Sequence, residues 1–124
     1  MTTYTTIDRH ELTAWLGPAA DDLTPDQIDR LHREAQSIYG RYPDPDDHDL
    51  RDAALSAAVQ WLLGDITLER AREQLVSART AAARASAAAQ QVAVMAHADG
   101  MPESHAAAAV GIDRMTLRKA LGKR

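Results

Sequence analysis

The sequence predicts an all-α fold, and three observations lead to this prediction. The strong helix formers alanine, leucine, arginine, glutamate and glutamine dominate the chain. Runs that alternate apolar and polar residues, as a half-buried strand requires, are missing, and apolar residues recur instead at intervals of three and four. We expect an acidic N-terminal helical body over residues 1–66, a long alanine-rich helix over 67–99 and a pair of short helices over 100–124.

The composition limits both the core and the kind of protein. Phenylalanine is absent, two tryptophans and three tyrosines occur, and many of the hydrophobic residues are alanine. Because alanine buries little apolar area, we expect helices that pack very close together, or burial against a second chain. The absence of cysteine excludes disulfides, thiolate metal sites and a cysteine nucleophile.

No stretch of the chain approaches the ~20 uninterrupted apolar residues that a membrane span needs. The N-terminal Met-Thr-Thr-Tyr lacks the basic region and apolar run of an export signal. We therefore expect a cytoplasmic protein that does not contact a membrane. The bias toward alanine, arginine and aspartate indicates a GC-rich bacterial source.

The charge is divided along the chain. Residues 1–67 carry a net charge of -8 and residues 68–124 a net charge of +4. A basic end on an acidic protein is typical of contact with nucleic acid. The alternative is that the charges only segregate onto solvated faces.

The N-terminal body is predicted to begin with two helices. A short one follows an N-cap at Asp8 and stops at Gly17. The second follows a capping box in which Thr24 is the N-cap and Gln27 reaches back, and it ends near Gly40. Its inward residues are predicted to be Ile28, Leu31, Ala35, Ile38 and Tyr39.

A third helix is predicted over about residues 47–63. Trp15 and Trp61 have the largest side chains of this region, so we predict that they anchor the core. The alternative is that a tryptophan stacks on a ligand. The apolar face of the third helix is predicted to contain Leu50, Ala53, Ala54, Ala57, Ala58, Trp61 and Leu62.

The acidic segment 43–49 precedes the third helix. Its carboxylates are suited to the positive end of a helix dipole, and a divalent metal site is the alternative. The segment lacks the spacing of a calcium-binding loop, so we predict capping and no metal. The five histidines are scattered, and no glycine-rich phosphate loop or nucleophile elbow occurs. We therefore expect no enzyme and no cofactor.

No glycine or proline occurs between Leu68 and Ala98, which predicts one helix of ~30 residues and ~45 Å. Apolar residues on it recur at alternating steps of three and four, as in a coiled-coil seam. Two interpretations are open, because this seam can pair with a second copy or pack against the third helix; we favour a homodimer. The candidate dimerisation residues are Leu75, Ala78, Ala82, Ala85, Ala89 and Val92.

The last segment has the layout of a helix-turn-helix, in which the second helix enters a DNA major groove. Gly111 lies where the turn requires a left-handed backbone, and Ala107 is small enough for a close helix crossing. Asp113 is predicted to cap the second helix. A solvated helical hairpin is the alternative. The predicted core residues are Ala107, Val110, Gly111, Ile112, Leu117 and Leu121.

The segment 111–121, Gly-Ile-Asp-Arg-Met-Thr-Leu-Arg-Lys-Ala-Leu, resembles the C-terminal helix-turn-helix domains of resolvase/invertase recombinases, a pattern shared by small bacterial regulators. The resemblance covers about residues 100–124, and the end of the long helix is expected to complete a trihelical unit. Ala106–Ala109 departs from the more mixed pattern of that family. The earlier residues contain no recombinase catalytic domain, and because the chain ends at the recognition helix we expect no wing.

The resemblance implies that residues of the second motif helix approach bases and phosphates. Arg114 is suited to a guanine edge, and Arg118 to the next base or a phosphate. The lysines and the terminal arginine are suited to phosphates. Ser104 is predicted to cap the first motif helix, with a phosphate contact as the alternative. The predicted DNA-binding residues are Ser104, Asp113, Arg114, Met115, Thr116, Arg118, Lys119, Lys123 and Arg124.

These observations predict a sequence-specific regulator of transcription that binds double-stranded DNA as a homodimer. The long helix would hold two DNA-binding ends at a fixed separation, so that they meet two half-sites. Two alternatives stay open. One is an adaptor whose acidic N-terminal helices bind a protein partner, and the other is a purely structural helical oligomer.

Overall fold

The computed structural model of the chain describes residues 6–123. These residues form six α-helices and no strand, which confirms the all-α prediction. Two 3₁₀ turns, Gly17–Asp22 and Pro45–Asp47, lie before the second and third helices. The chain divides into two compact units, residues 1–71 and 72–124. The helices are α1 (Arg9–Leu16), α2 (Pro25–Arg41), α3 (His48–Leu62), α4 (Leu68–Ala98), α5 (Glu103–Val110) and α6 (Arg114–Ala120).

Side-chain caps begin the first two helices. Asp8 Oδ1 accepts a hydrogen bond from the Glu11 amide at 2.7 Å and caps α1. At α2, Thr24 Oγ1 accepts from the Gln27 amide at 3.2 Å, and Gln27 Oε1 accepts from the Thr24 amide at 2.8 Å. Such bonds satisfy amides that have no partner inside the helix. Both predicted helix starts are confirmed.

The core of the N-terminal unit lies where α2 packs against α3 and the segment around α1 covers them. The predicted inward face of α2 is confirmed, because its residues at positions 31, 35 and 38 are buried. Gln27 Nε2 also donates to the Leu62 carbonyl oxygen at 3.0 Å, which ties the start of α2 to the end of α3. The buried residues are Ile7, Leu12, Leu16, Leu23, Leu31, Ala35, Ile38 and Leu55.

The prediction that two tryptophans anchor this core is wrong. Trp15 is 37% exposed and Trp61 is 47% exposed. Leu12 and Leu16 lie one turn apart on the buried face of α1, and Trp15 lies about 100° to the side of Leu16. Side-chain volume alone therefore did not indicate which residues of α1 and α3 are buried.

The predicted apolar face of α3 is partly wrong. Ala54, Ala58 and Leu62 pack against the core as predicted, but Leu50 is 50% exposed and Leu55, which was not predicted, is fully buried. Arg51, which lies outside the predicted apolar face, is only 8% exposed. Its Nη1 donates to the Tyr42 and Asp44 carbonyl oxygens at 2.8 and 2.9 Å. Its guanidinium also lies 4.9 Å from the centre of the Tyr39 ring. A guanidinium that donates to backbone carbonyl oxygens can be buried, and Arg51 and Leu55, one turn apart, are the buried residues of α3.

The acidic segment before α3 has the predicted capping role only at the 3₁₀ turn, since Asp47, the N-cap residue of α3, makes no side-chain cap bond. Asp44 Oδ1 accepts from the Asp46 amide at 2.9 Å and begins the 3₁₀ turn. Within residues 6–123, no group of three or more His, Cys, Asp or Glu side chains is arranged to hold a metal ion.

The long helix is confirmed as α4, with 31 residues. At 1.5 Å per residue it extends about 46 Å. Thr67 Oγ1 accepts from the Arg70 amide at 3.1 Å, in the position of an N-cap. All side chains from residue 68 to residue 88 are exposed, and Ala93 is the buried residue of this helix. None of the helices in the described part of the chain has the length and apolar character to cross a membrane.

Candidate nucleic-acid interface

The last turns of α4 share a core with α5 and α6. The buried residues of this core are Ala93, Ala106, Ala107 and Leu117. Three of the four are alanines, which allow helices to approach closely but bury little apolar area. Leu117 is therefore the one large, fully buried side chain of the cluster. The partly buried residues that pack against it are Val94, Ala96, Val110, Ile112 and Leu121.

The turn between α5 and α6 has the backbone that the sequence required. Gly111 has a φ of 80°, in the left-handed region that favours glycine. The Ile112 amide donates to the Ala107 carbonyl oxygen at 3.0 Å, which closes the end of α5. The predicted core residues of the motif thus lie in this cluster or at the turn beside it.

Asp113 caps α6, as predicted. Its Oδ1 accepts from the Thr116 amide at 2.8 Å, and its Oδ2 accepts from the Thr116 hydroxyl at 2.9 Å. The bond from the Thr116 amide, followed by that from the hydroxyl, lowers the pKa of Asp113. Two of the predicted DNA contacts are therefore engaged with each other in the cap.

Met115 and Lys119 lie on the face of α6 that points away from the core. Positions 115 and 119 each lie two residues from the buried Leu117, about 200° around the helix axis. Met115 is 52% exposed, and Lys119 is exposed. Arg114 is exposed too but lies closer to the side of α6 that faces α5. The outermost predicted contacts on α6 are therefore Met115 and Lys119.

The carboxylate of Glu103, in the first turn of α5, accepts bonds from three cationic side chains. Arg118 Nη1 lies 3.0 Å from Oε2, and Arg114 Nε lies 3.4 Å from the same oxygen. Lys123 Nζ bonds to the other oxygen, Oε1. The Glu103 side chain is 10% exposed, whereas those of Arg114 and Lys123 are 62% and 44% exposed. We call these four residues the Glu103 cluster.

The cluster changes the titration of its carboxylate. The hydrogen bond from Lys123 is the largest cause of a lowered pKa. The hydrogen bond from Arg118 and the positive charges of both side chains add to this effect. Together they lower the pKa of Glu103 from its ordinary value of 4.5 to about 2. The carboxylate is ionised throughout the neutral range and neutralises one of the three positive charges.

The sequence did not reveal the role of Glu103. A glutamate after Pro102 has a sufficient explanation in the helix dipole, and its partners lie 11, 15 and 20 residues further along. No local spacing rule connects residues that far apart. The available signal was weaker: Glu103 is the acidic residue of α5, and five cationic residues follow it in and after α6.

Ser104 is not the N-cap of α5, which corrects the prediction. The N-cap position is Pro102, and no side chain caps it. Ser104 lies inside the first turn and is exposed, so it has no capping bond to make there. Arg124, the last predicted DNA contact, lies outside the described residues.

The predicted dimerisation stripe lies on the exposed length of α4. Leu75 is 50% exposed and Val92 is 59% exposed. The alanines at positions 78, 82 and 85 are exposed, and Ala89 is half-buried. The stripe therefore leaves apolar surface open to solvent.

Comparison with known proteins gives no match, either to family models or to curated proteins and solved structures.

The lowered pKa of Glu103 predicts a pH dependence of stability in α5 and α6. Because the folded-state pKa lies below the ordinary value, the stabilisation is present above about pH 4.5 and is lost as the pH falls toward about 2. Hydrogen exchange of the α5 and α6 amides should show wild type more protected than Glu103→Gln at pH 6. The difference between the two should shrink steadily as the pH falls from about 4.5 toward 2.

The control is Glu69→Gln, which removes the same charge from an exposed position in the first turn of α4. It should leave the exchange of α5 and α6 unchanged. A difference between wild type and Glu103→Gln that stays constant from pH 6 to pH 2.5 would contradict the prediction.

Proposed function

We propose that the chain is a sequence-specific DNA-binding protein that regulates transcription as a homodimer. The observation that carries this proposal is the unit of α5, the Gly111 turn and α6, which buries Leu117 and leaves Met115 and Lys119 on its outer face. A short helix held in this way can enter a major groove while its partner helix supports it. The resemblance of residues 111–121 to recombinase helix-turn-helix domains supports the same function.

Three exposed side chains of α6 have suitable targets on DNA. Met115 offers an apolar contact for a thymine methyl group, and Arg114 at the start of α6 can pair with a guanine edge. Lys119 can bind a phosphate, which adds affinity at any sequence. The net charge of +4 over residues 68–124 favours a polyanion at this end of the chain.

The exposed seam of α4 supports the homodimer. Within the unit of residues 72–124, residues 72–88 of α4 are all exposed, so α5 and α6 do not cover this length of the stripe. Helices in proteins gain most of their stability from packing against other helices or sheets. The heptad spacing of the stripe is that of a two-stranded coiled coil. A second copy would cover Leu75 and Val92, and the small alanines between them would allow close contact.

Fluorescence anisotropy with a random-sequence duplex and with duplexes selected from a random pool tests this function. We expect the logarithm of the association constant to fall linearly with the logarithm of the salt concentration. The slope should be about −0.9 for each phosphate contacted. A palindromic selected sequence would establish both specificity and two-fold symmetry. Absence of binding to every duplex at ~50 mM salt would refute the function.

Two variants test the assignment of contacts on α6. Arg114→Ala should lower affinity for the selected sequence more than for random DNA, since a bidentate contact is worth about 1–3 kcal/mol of discrimination. Lys119→Ala should weaken binding to both duplexes alike and reduce the salt slope by about 0.9. Equal effects of the two variants on both duplexes would refute this assignment.

A protein-binding role for the N-terminal unit is the second candidate, and one surface favours it. Trp61, 47% exposed, lines a cavity of about 240 Å³ together with Ala58, Leu62 and the charged residues Arg30 and Glu34. Exposed tryptophans beside concave apolar surface are common anchors of protein interfaces. The DNA titration separates the two functions, because an adaptor that acts only through this unit would not bind the duplexes.

A further inference from the structure

In the Glu103 cluster a carboxylate binds cationic side chains that would otherwise be available to DNA. The carboxylate is 10% exposed and accepts from Arg118 at 3.0 Å, with Lys123 bonded to its second oxygen. Lys123 lies just beyond α6, and its own side chain is 44% exposed. A phosphate approaching α6 would therefore have to compete with an intramolecular carboxylate that is already in place.

Charge and geometry act differently on the two kinds of DNA contact. Binding to phosphates depends on the number of cations that can pair with them and not on base sequence. Binding to bases depends on how the reading side chain is oriented. A carboxylate that engages cations beside the recognition helix weakens the first kind of contact. The carboxylate also fixes the arginine side chains, so these side chains lose less conformational entropy when they bind to bases.

We propose that Glu103 is a specificity-determining residue: it withholds Lys123 from DNA phosphates and so weakens binding to DNA of any sequence. The proposal rests on the proposed DNA-binding function. In this arrangement the protein binds random DNA less tightly than its cations would permit. Because the fixed arginine side chains lower the entropic cost of base contacts alone, the ratio of specific to non-specific affinity, which governs how a regulator finds its site, is larger. Glu103 acts through its partners and does not itself touch the bases.

The test measures the salt dependence of binding to a random-sequence duplex for wild type and Glu103→Gln. Release of one lysine should steepen the slope of log affinity against log salt by about 0.9. This corresponds to about eightfold tighter binding at ~0.1 M salt if the two proteins are equal at ~1 M. The selected duplex should gain less, so the specificity ratio should fall.

A double variant distinguishes release of Lys123 from a general effect of charge. Glu103→Gln with Lys123→Ala should return the slope to the wild-type value, because the released cation is removed. Glu103→Asp keeps the charge and should keep the wild-type slope. Glu69→Gln, which changes the net charge equally at an exposed position of α4, should leave the slope unchanged.

The possible failures are distinguishable. If wild type and Glu103→Gln bind the random duplex with equal slopes, the role of Glu103 is refuted while DNA binding stands. If the double variant keeps the steeper slope, Lys123 is not the withheld cation and the inference is again refuted. If neither protein binds any duplex at ~50 mM salt, both the function and the inference fall. Amide exchange of α5 and α6 in the same samples verifies that each variant is folded.

Discussion

Leu117→Ala is expected to unfold the α5–α6 unit and to abolish DNA binding. Leu117 is fully buried, and the other three buried residues of its cluster are alanines. Replacing a buried leucine by alanine costs about 2–5 kcal/mol, because transfer energy is lost and a cavity is left. With so little other apolar area in this core, the remaining residues cannot compensate for that loss.

Hydrogen exchange on the full-length protein measures the effect directly. The amides of α5 and α6 should lose protection, while those around the buried Leu31 and Leu55 in the N-terminal unit should keep it. Met115→Ala is the matched control, since this side chain of the same helix is 52% exposed and its loss should leave exchange unchanged. Wild-type protection of α5 and α6 in Leu117→Ala would show that this cluster does not hold them together.

Ala82→Glu is expected to convert the proposed homodimer into a monomer. Ala82 lies in the middle of the heptad stripe of α4 and is exposed within the chain, so the substitution removes no contact of the folded monomer. In a dimer, glutamates from the two copies would meet in a close, water-excluded seam. Burying two like charges there is strongly unfavourable. Light scattering should therefore report half the wild-type mass.

DNA binding should fall in the same variant. When two sites are joined, the second contact is made at a high effective concentration, which raises affinity by about 100-fold or more. The Ala82→Glu monomer should lose this gain on a palindromic duplex. Ala87→Glu, an exposed position on the opposite side of α4 from the stripe, should stay dimeric and bind normally. A wild-type protein that is monomeric at all concentrations would refute the proposal that the stripe of α4 forms a dimer interface.

Local chemistry explains why the helices themselves could be predicted. Thr24 and Gln27 form a capping box whatever surrounds them, because the bonding groups are three residues apart. Gly111 allows a left-handed turn through its own backbone freedom. The uninterrupted helix-forming run after Thr67 gave α4 almost to the residue. These features depend on neighbours in sequence, so the sequence is enough to predict them.

Burial was predicted less well, because it depends on which helix lies opposite. Hydrophobic spacing placed Leu50 and Trp61 in the core, yet both are about half exposed. Arg51 lies inward instead, where it donates hydrogen bonds to carbonyl oxygens of the segment before α3. A pattern that treats every arginine as a surface residue cannot anticipate a site where the backbone solvates it.

The sequence by itself determined the all-α class, the ends of the helices, the left-handed turn and the capping of α6 by Asp113, since each rests on bonds between residues close in the chain. Only the tertiary structure decided that Glu103 bonds to Arg114, Arg118 and Lys123, because those partners are far apart in sequence. That contact engages three cations of the proposed DNA-binding end. It divides the cations of this end into those engaged by a carboxylate and those, such as Lys119, on the outer face of α6.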